Sequence, residues 1–326
     1  MRREIRSSVR ILWSESNPQF ARAIDGLFND EGFTTRHHAA NCDEIERILR
    51  QSSPDLLIVD VMTEGGEAFE LIRDIRNSRL GDDPFMTIIA TSWDAQQPVI
   101  DHIYDCGADD AFIKPAPARK LTERIFTLAQ DKRQFVVTAT YIGPDRRREG
   151  NRSQQEDSLR LPVPSTLRAR AEGRASDGPL MEAQRNTTIA QINEQRLQRG
   201  SLAIANAVNI FLPVCIAGRA DLDAIQAMGD AIQIAGDLRE RAPTGGYGHM
   251  LELCDAFIRI CGEMRRIARS PNPGGHDQKN LKLVKSLGDA LTIGFNPRHT
   301  NSDIAGEISQ QVSRYQSTRP PPRSGY

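Results

Sequence analysis

Residues 54–61 read Pro54-Asp55-Leu56-Leu57-Ile58-Val59-Asp60-Val61, a proline followed by a short apolar run that an aspartate interrupts near its end. Pro54 can neither extend a helix nor donate to a ladder, so it closes the segment before it. An apolar run of this length without alternation is the pattern of a strand covered on both faces. Val9–Ser14 and Phe85–Thr91 are runs of the same kind, and Thr34–His38 and Ala111–Ile113 are weaker ones. Between them the apolar residues take helical spacing over Pro18–Asp30, Asn41–Gln51, Glu67–Ser78, Pro98–Cys106 and Pro117–Asp131. Asn41 followed by Glu44 is a capping-box-like start for the second of these helices. Five βα units predict an α/β domain with a doubly wound, parallel five-stranded sheet over residues 1–135.

Outward from that domain the composition changes. Residues 136–185 are rich in arginine and proline and poor in apolar side chains, which predicts a flexible linker. Its densest basic spot, Arg146-Arg147-Arg148, is flanked by Asp145 and Glu149 and reads as linker solvation. Residues 186–317 return to helical periodicity. Leu222, Ile225, Met228, Ile232, Ala235 and Leu238 form one stripe, and Met250, Leu253, Phe257, Ile260, Met264 and Ile267 another. Leu281, Val284, Leu287 and Leu291 form a third stripe, and Ile304, Ile308 and Val312 a fourth. Pro243 with Gly245-Gly246, and then Pro271–Gly275, separate the stripes, so this region is expected to be an all-α helical bundle. Residues 318–326, with Pro320-Pro321-Pro322, are expected to form a disordered tail.

The whole chain has 326 residues and a formal net charge of −1, which argues against nucleic acid or an anionic membrane surface as the principal partner. Cys42, Cys106, Cys215, Cys254 and Cys261 contain no Cys-x-x-Cys pair, consistent with reduced thiols and a cytoplasmic protein. The most apolar run, Leu202–Gly218, is interrupted by Asn206, Asn209 and Pro213 and falls short of the ~20 residues of a membrane span. No membrane association is expected.

In a doubly wound sheet, reactive groups gather at the carboxyl ends of the strands. Glu15 and Ser16 follow the first strand here, Asp60 ends the third, Ser92 follows the fourth and Lys114-Pro115 follows the fifth. Four stretches carry a resemblance in order and spacing: Ile11–Pro18, Pro54–Asp60, Thr87–Ser92 and Gly107–Pro115. Across residues 7–130 the chain resembles the flavodoxin-like receiver domain of two-component response regulators. The resemblance implies that Asp60 is a phosphoacceptor, and that Glu15, Asp60 and the backbone carbonyl of Met62 hold Mg²⁺. Ser92 and Lys114 would contact phosphoryl oxygens. Ser16 stands where the family has a second acidic residue, so the metal is expected to bind weakly. Ala111 stands at the usual switch aromatic, leaving Phe112 as its substitute.

Two histidine sites were weighed beside these. His37-His38 has no third ligand in view and reads as surface. His249-Met250-Leu251 opens an amphipathic stretch, but Glu252 follows where a phosphotransfer helix would carry a positive charge, so a partly buried structural histidine is the expected reading.

The expected function is that of a non-enzymatic response regulator. It would accept a phosphoryl group from a sensor histidine kinase or phosphotransfer protein and signal through the helical region to a protein target, with a homodimer in view. Two alternatives stand beside it: a phosphorylation-independent receiver used as a binding or dimerisation module, and a nucleic-acid-binding regulator using the arginine-rich linker and the bundle.

Overall fold

The apolar runs become five parallel strands: β1 (Ile11–Ser14), β2 (Arg36–His38), β3 (Leu56–Asp60), β4 (Thr87–Ser92) and β5 (Asp110–Ile113), in the order β2-β1-β3-β4-β5. The structure is a computed structural model that describes residues 3–62, 67–145, 159–174, 178–218, 221–270 and 277–296. It divides into two units, residues 1–137 with 141–189, and residues 138–140 with 190–326.

In the first unit the strands are joined by α2 (Pro18–Glu31), α3 (Cys42–Leu49), α4 (Glu67–Arg76) and α5 (Gln97–Asp105), and followed by α6 (Arg119–Gln130). A short α1 (Arg3–Ser8), which periodicity did not suggest, precedes β1. Local chemistry fixes the starts. The Asn17 side chain accepts from the backbone N–H groups of Gln19 and Phe20, and Pro18 occupies the first turn of α2. At α3 the Asn41 side chain accepts from Glu44 N–H while Glu44 reaches back to Ala40 N–H, so the expected cap forms. Gly32 ends α2 with φ of 83°, a left-handed conformation that glycine adopts without a Cβ penalty.

Alternation along the strands loads both faces of the sheet. Leu57, Val59, Ile88 and Ala90 pack on Ile45, Ile72 and Ile103 of α3, α4 and α5. Ile11, Ile58 and Ile89 face the other way, against Ile24, Phe28, Leu121 and Ile125 of α2 and α6. With both faces apolar, charged groups are confined to the strand ends.

One such end carries a fully buried ionic cluster. Arg76 Nε donates to Gly107 O at 2.8 Å, its Nη1 to Pro84 O and Met86 O, and its Nη2 to Asp109 Oδ2 at 2.8 Å. Asp109 also accepts from Ile88 N–H and pairs with Arg133, and all three side chains are at most 2% exposed.

Residues 134–145 and 159–173 depart from the flexible linker expected for 136–185. Strands β6 (Gln134–Val137), β7 (Ile142–Pro144) and β8 (Leu159–Pro162) form an antiparallel sheet in the order β7-β6-β8, and α7 (Thr166–Ala171) follows. The segment is poor in apolar residues, but Phe135, Val137 and Ile142, with Leu167 of the following helix, are enough to bury one face of such short elements. Phe135 packs edge-on against Phe85 and lies beneath the Arg76 and Arg133 guanidiniums. The Arg146–Arg148 spot lies outside the described residues.

Helix α8 (Gly178–Ile216) gives its first residues to the first unit and those from Ala190 onward to the second. The second unit adds α9 (Leu222–Arg241), α10 (Leu251–Ala268) and α11 (Gln278–Gly294). Its core contains Ile204, Val208 and Phe211 of α8 with Met228, Leu238, Phe257 and Leu287. The α11 stripe is buried where the sequence puts it, and so is the α10 stripe up to Met264, after which Ala268 is buried in place of Ile267. In α9 the buried line runs through Ala224, Met228, Ala231, Ala235 and Leu238, leaving Leu222 83% exposed. Helix α8 is long and apolar enough to cross a membrane, beyond what the Leu202–Gly218 run suggested. The stripe at Ile304, Ile308 and Val312 and the tail lie outside the described residues. Burial pushes the Cys254 and Cys261 thiols up to about 12, which keeps them protonated.

Replacing Asp109 by alanine leaves two buried guanidiniums without their carboxylate, a loss of about 3–5 kcal/mol. Both tryptophans, Trp13 and Trp93, lie in the first unit, so urea unfolding followed by their fluorescence reads its stability directly. A change below about 1 kcal/mol would place Asp109 among surface ion pairs instead.

Candidate functional site

Glu15, Asp60, Ser92 and Lys114 sit at the carboxyl ends of strands because the strand interiors are filled with apolar side chains. Asp60 ends β3 in register with Thr91 of β4, and Glu15 and Lys114 lie immediately beyond β1 and β5. Asp60, Glu15, Ser92 and Lys114 are all buried.

Lys114 Nζ lies 2.8 Å from Glu15 Oε2 and 3.1 Å from Asp60 Oδ2, so one ammonium serves two carboxylates. The remaining acceptors are met by short-range donors. Asn17 N–H donates to Glu15 Oε1 at 2.9 Å, and Met62 N–H donates to Asp60 Oδ1 at 3.1 Å. Ser16 Oγ donates to Asp60 Oδ2 at 2.7 Å, so the hydroxyl at the expected acidic position binds the central aspartate directly. Two aromatic rings wall the ammonium: Trp93 and Phe20, with centroids 5.1 and 5.5 Å from Nζ, within cation–π range. Neither ring was singled out as a partner of Lys114 from sequence, since nothing in the spacing of residues 20, 93 and 114 announces a contact.

Burial pushes the Glu15 carboxyl above its ordinary value, and the hydrogen bond from Lys114 only partly offsets this. The cluster therefore carries one negative charge more than its lysine neutralises when both carboxylates are ionised. Glu15, Asp60 and the carbonyl of Met62 are the donors available to a metal ion. Among the described residues no group of three or more histidine, cysteine or acidic side chains could hold one.

Ser92 and Phe112 make contacts away from Asp60 in this structure. Ser92 Oγ accepts from Asp94 N–H at 3.0 Å and donates to Asp94 O at 3.2 Å, so it closes a local turn and does not reach Asp60. Phe112 is buried and packs against Phe20 at 6.4 Å on the α2–α6 face. Ala111 packs on the opposite face, with α3–α5. Because neighbouring strand residues point to opposite faces, Phe112 cannot replace an aromatic at 111. His249 is exposed in a 3-10 turn, Gly248–Met250, ahead of α10. It is neither the partly buried histidine expected nor on a bundle helix. His37 and His38 are exposed residues of β2, and the His38 ring packs 4.3 Å from that of Trp13.

Parts of the chain are similar to known proteins. A family model for the response regulator receiver domain matches residues 11–126. The chain is similar to transcriptional regulatory protein AfsQ1 of Streptomyces coelicolor, 32% identical over 104 residues, which are 32% of this chain and 44% of that one. It is similar to transcriptional regulatory protein BaeR of Escherichia coli, 32% identical over 126 residues, 37% of this chain and 48% of that one. The chain thus spans less than half the length of these relatives. A solved signal receiver domain of a signal transduction histidine kinase from Syntrophus aciditrophicus aligns with 25% identity and a TM-score of 0.34, covering 37% of this chain and 89% of that one. Residues 11–126 are a response regulator receiver domain.

The raised Glu15 carboxyl gives a pH signature. A folded value above the unfolded one stabilises the protein at low pH, and that contribution is lost as pH rises through the folded value. Glu15→Gln removes the titration, so its stability relative to the parent should be greatest at pH 7 and shrink by about pH 4. Urea midpoints at the two pH values test this, and an unchanged difference would mean that Glu15 does not titrate in this range.

Proposed function

We propose that the receiver domain belongs to a two-component response regulator, in which Asp60 accepts a phosphoryl group from the phosphohistidine of a kinase or phosphotransfer protein in the cytoplasm. The observation that carries this reading is the Lys114 ammonium held between Glu15 and Asp60 at the carboxyl rim of the sheet. An oxygen of the Asp60 carboxylate attacks phosphorus, a new P–O bond forms, and the P–N bond of the donor breaks as its imidazole leaves. Lys114 supplies a fixed positive charge beside the incoming oxygens, and Trp93 with Phe20 limits water around it. For Ser92 to reach a phosphoryl oxygen it has to leave its turn with Asp94.

The donor set fits Mg²⁺, which takes one or two carboxylates and completes its shell with water and phosphoryl oxygens. Glu15, Asp60 and the Met62 carbonyl would hold it, and when bound it neutralises the charge of the phosphoryl group. Ser16 supplies a neutral hydroxyl where a further carboxylate would add to the attraction. Restoring that charge with Ser16→Asp should tighten Mg²⁺ binding roughly tenfold or more, by the size of a charge interaction near 5 Å. Trp93 lies against Lys114 and offers a fluorescence readout for the titration. No gain in affinity would contradict the assignment of position 16.

The described helices of the second unit are the proposed output, acting on a protein partner. The similar proteins are named as transcriptional regulators, but the matches cover only 32% and 37% of this chain, so no DNA-binding role is carried to the rest of it. One observation favours a second reading: Ser16 and Lys114 already satisfy Asp60 Oδ2, as they would in a receiver that binds partners without phosphate.

Intact mass after incubation with acetyl phosphate separates the two. The full chain should gain one phosphoryl group with Mg²⁺, none with chelator, and none as Asp60→Ala. A folded chain that gains nothing under any condition would favour the phosphate-independent reading.

A further inference from the structure

The opposite end of the receiver sheet holds a cavity of about 340 Å³. Asp55 on its wall precedes β3, and Asp60 ends that strand, so the two sites lie roughly 16 Å apart at the usual strand rise. The polar wall is formed by Arg10, Asp55, Asp83, Thr166, Arg170 and Arg185. Asp55 is fully buried and already neutralised. It accepts from Arg10 N–H at 2.8 Å and Arg10 Nη2 at 3.0 Å, and it pairs with Arg170 Nε at 2.5 Å.

That leaves cationic capacity. A guanidinium carries five N–H donors, so Arg10 and Arg170 each keep donors for a second acceptor. Arg185 Nε and Thr166 Oγ1 are buried atoms with no hydrogen-bond partner among the described residues. Buried donors without an acceptor are costly, and an anion entering the cavity would remove that cost. Asp83 is the second carboxylate of the wall: burial pushes its carboxyl up, while Phe85 N–H and the nearby charges of Arg185, Arg133 and Arg76 act the other way. Arg174 and Glu182 contribute one charge of each sign. The rest of the wall is apolar, with Pro164, Ala169, Pro179 and Met181.

We propose that this cavity binds a small organic anion whose phosphoryl or carboxylate group sits among Arg10, Arg170 and Arg185 and whose apolar part lies against Pro164 and Met181. Planar guanidiniums match both kinds of head group with paired N–H donors, which lysines would not do. The walls come from the strand ends and from α7 and α8, so the ligand would link the receiver sheet to the segment that follows it. Such a site would give the first unit an input separate from Asp60, and it stands whether or not Asp60 is phosphorylated.

Calorimetric titration of the full chain tests this with three probes: phenylphosphonate, benzoate and neutral benzyl alcohol. The carbon–phosphorus bond of phenylphosphonate prevents transfer to Asp60. At least one of the two anions should bind, which of them identifies the head group, and benzyl alcohol should not. Arg185→Gln should weaken the anion about tenfold through loss of a charge-assisted donor. Thr166→Val, which removes one hydroxyl without changing charge, should weaken it several-fold, and Asp60→Asn should leave it unchanged. If Arg185→Gln fails to fold, Thr166→Val carries the test. Absence of binding by both anions, affinity unaltered in Thr166→Val, or binding lost in Asp60→Asn would each overturn the proposal.

Discussion

The receiver domain depends on one ammonium, that of Lys114, shared between Glu15 and Asp60 in a place where water cannot compensate any of the three charges. The three residues follow or end β1, β3 and β5, and Lys114 and Glu15 are 99 positions apart in the chain. The contact therefore ties the beginning of the domain to its end. Breaking a buried pair by removing one partner is far more costly than the pair's own net contribution, because the remaining charge is stranded. The surrounding donors follow from this constraint. Asn17 N–H, Met62 N–H and the Ser16 hydroxyl each satisfy a carboxylate oxygen that would otherwise add to the excess negative charge.

Much of this is legible in the sequence because parallel sheets are demanding. A strand buried on both faces needs an uninterrupted apolar run, as in Leu56–Val59, and the first polar residue after it must lie at the rim. That rule alone gives Glu15, Asp60 and Lys114 their common location. What it cannot give is contact between side chains from elements distant in the chain. Arg76 and Asp109 look like surface residues in sequence, yet they meet in the interior because the carbonyls of Pro84, Met86 and Gly107 converge on the guanidinium. The strands at 134–137, 142–144 and 159–162 escape the sequence for a related reason. Composition measures average apolar content, whereas β6 and β7 need only Phe135, Val137 and Ile142 to bury one face.

Charge at both ends of the sheet has one origin and two opposite outcomes. Strand interiors exclude ionic groups, so these collect where the strands stop. At the carboxyl ends the carboxylates outnumber the single lysine, which suits a cation or a group that arrives with one. At the amino ends Arg10, Arg170 and Arg185 outnumber Asp55 and Asp83, which suits an anion. The same five strands thus separate an acidic pole from a basic one by the length of β3.

Strand alternation also constrains how a change at Asp60 can leave the site. Ser92 and Ala111 belong to the face covered by α3–α5, but alanine has no ring to rotate. Phe112 is held between the sheet and Phe20 on the other face, where a swing would require opening the core that also contains Ile24 and Leu121. Movement of Ser92 must first break its two hydrogen bonds within the turn at Asp94. That turn carries Trp93, whose ring touches both Lys114 and Phe20 and is 42% exposed. Trp93 therefore occupies the position between the buried charge cluster and the surface.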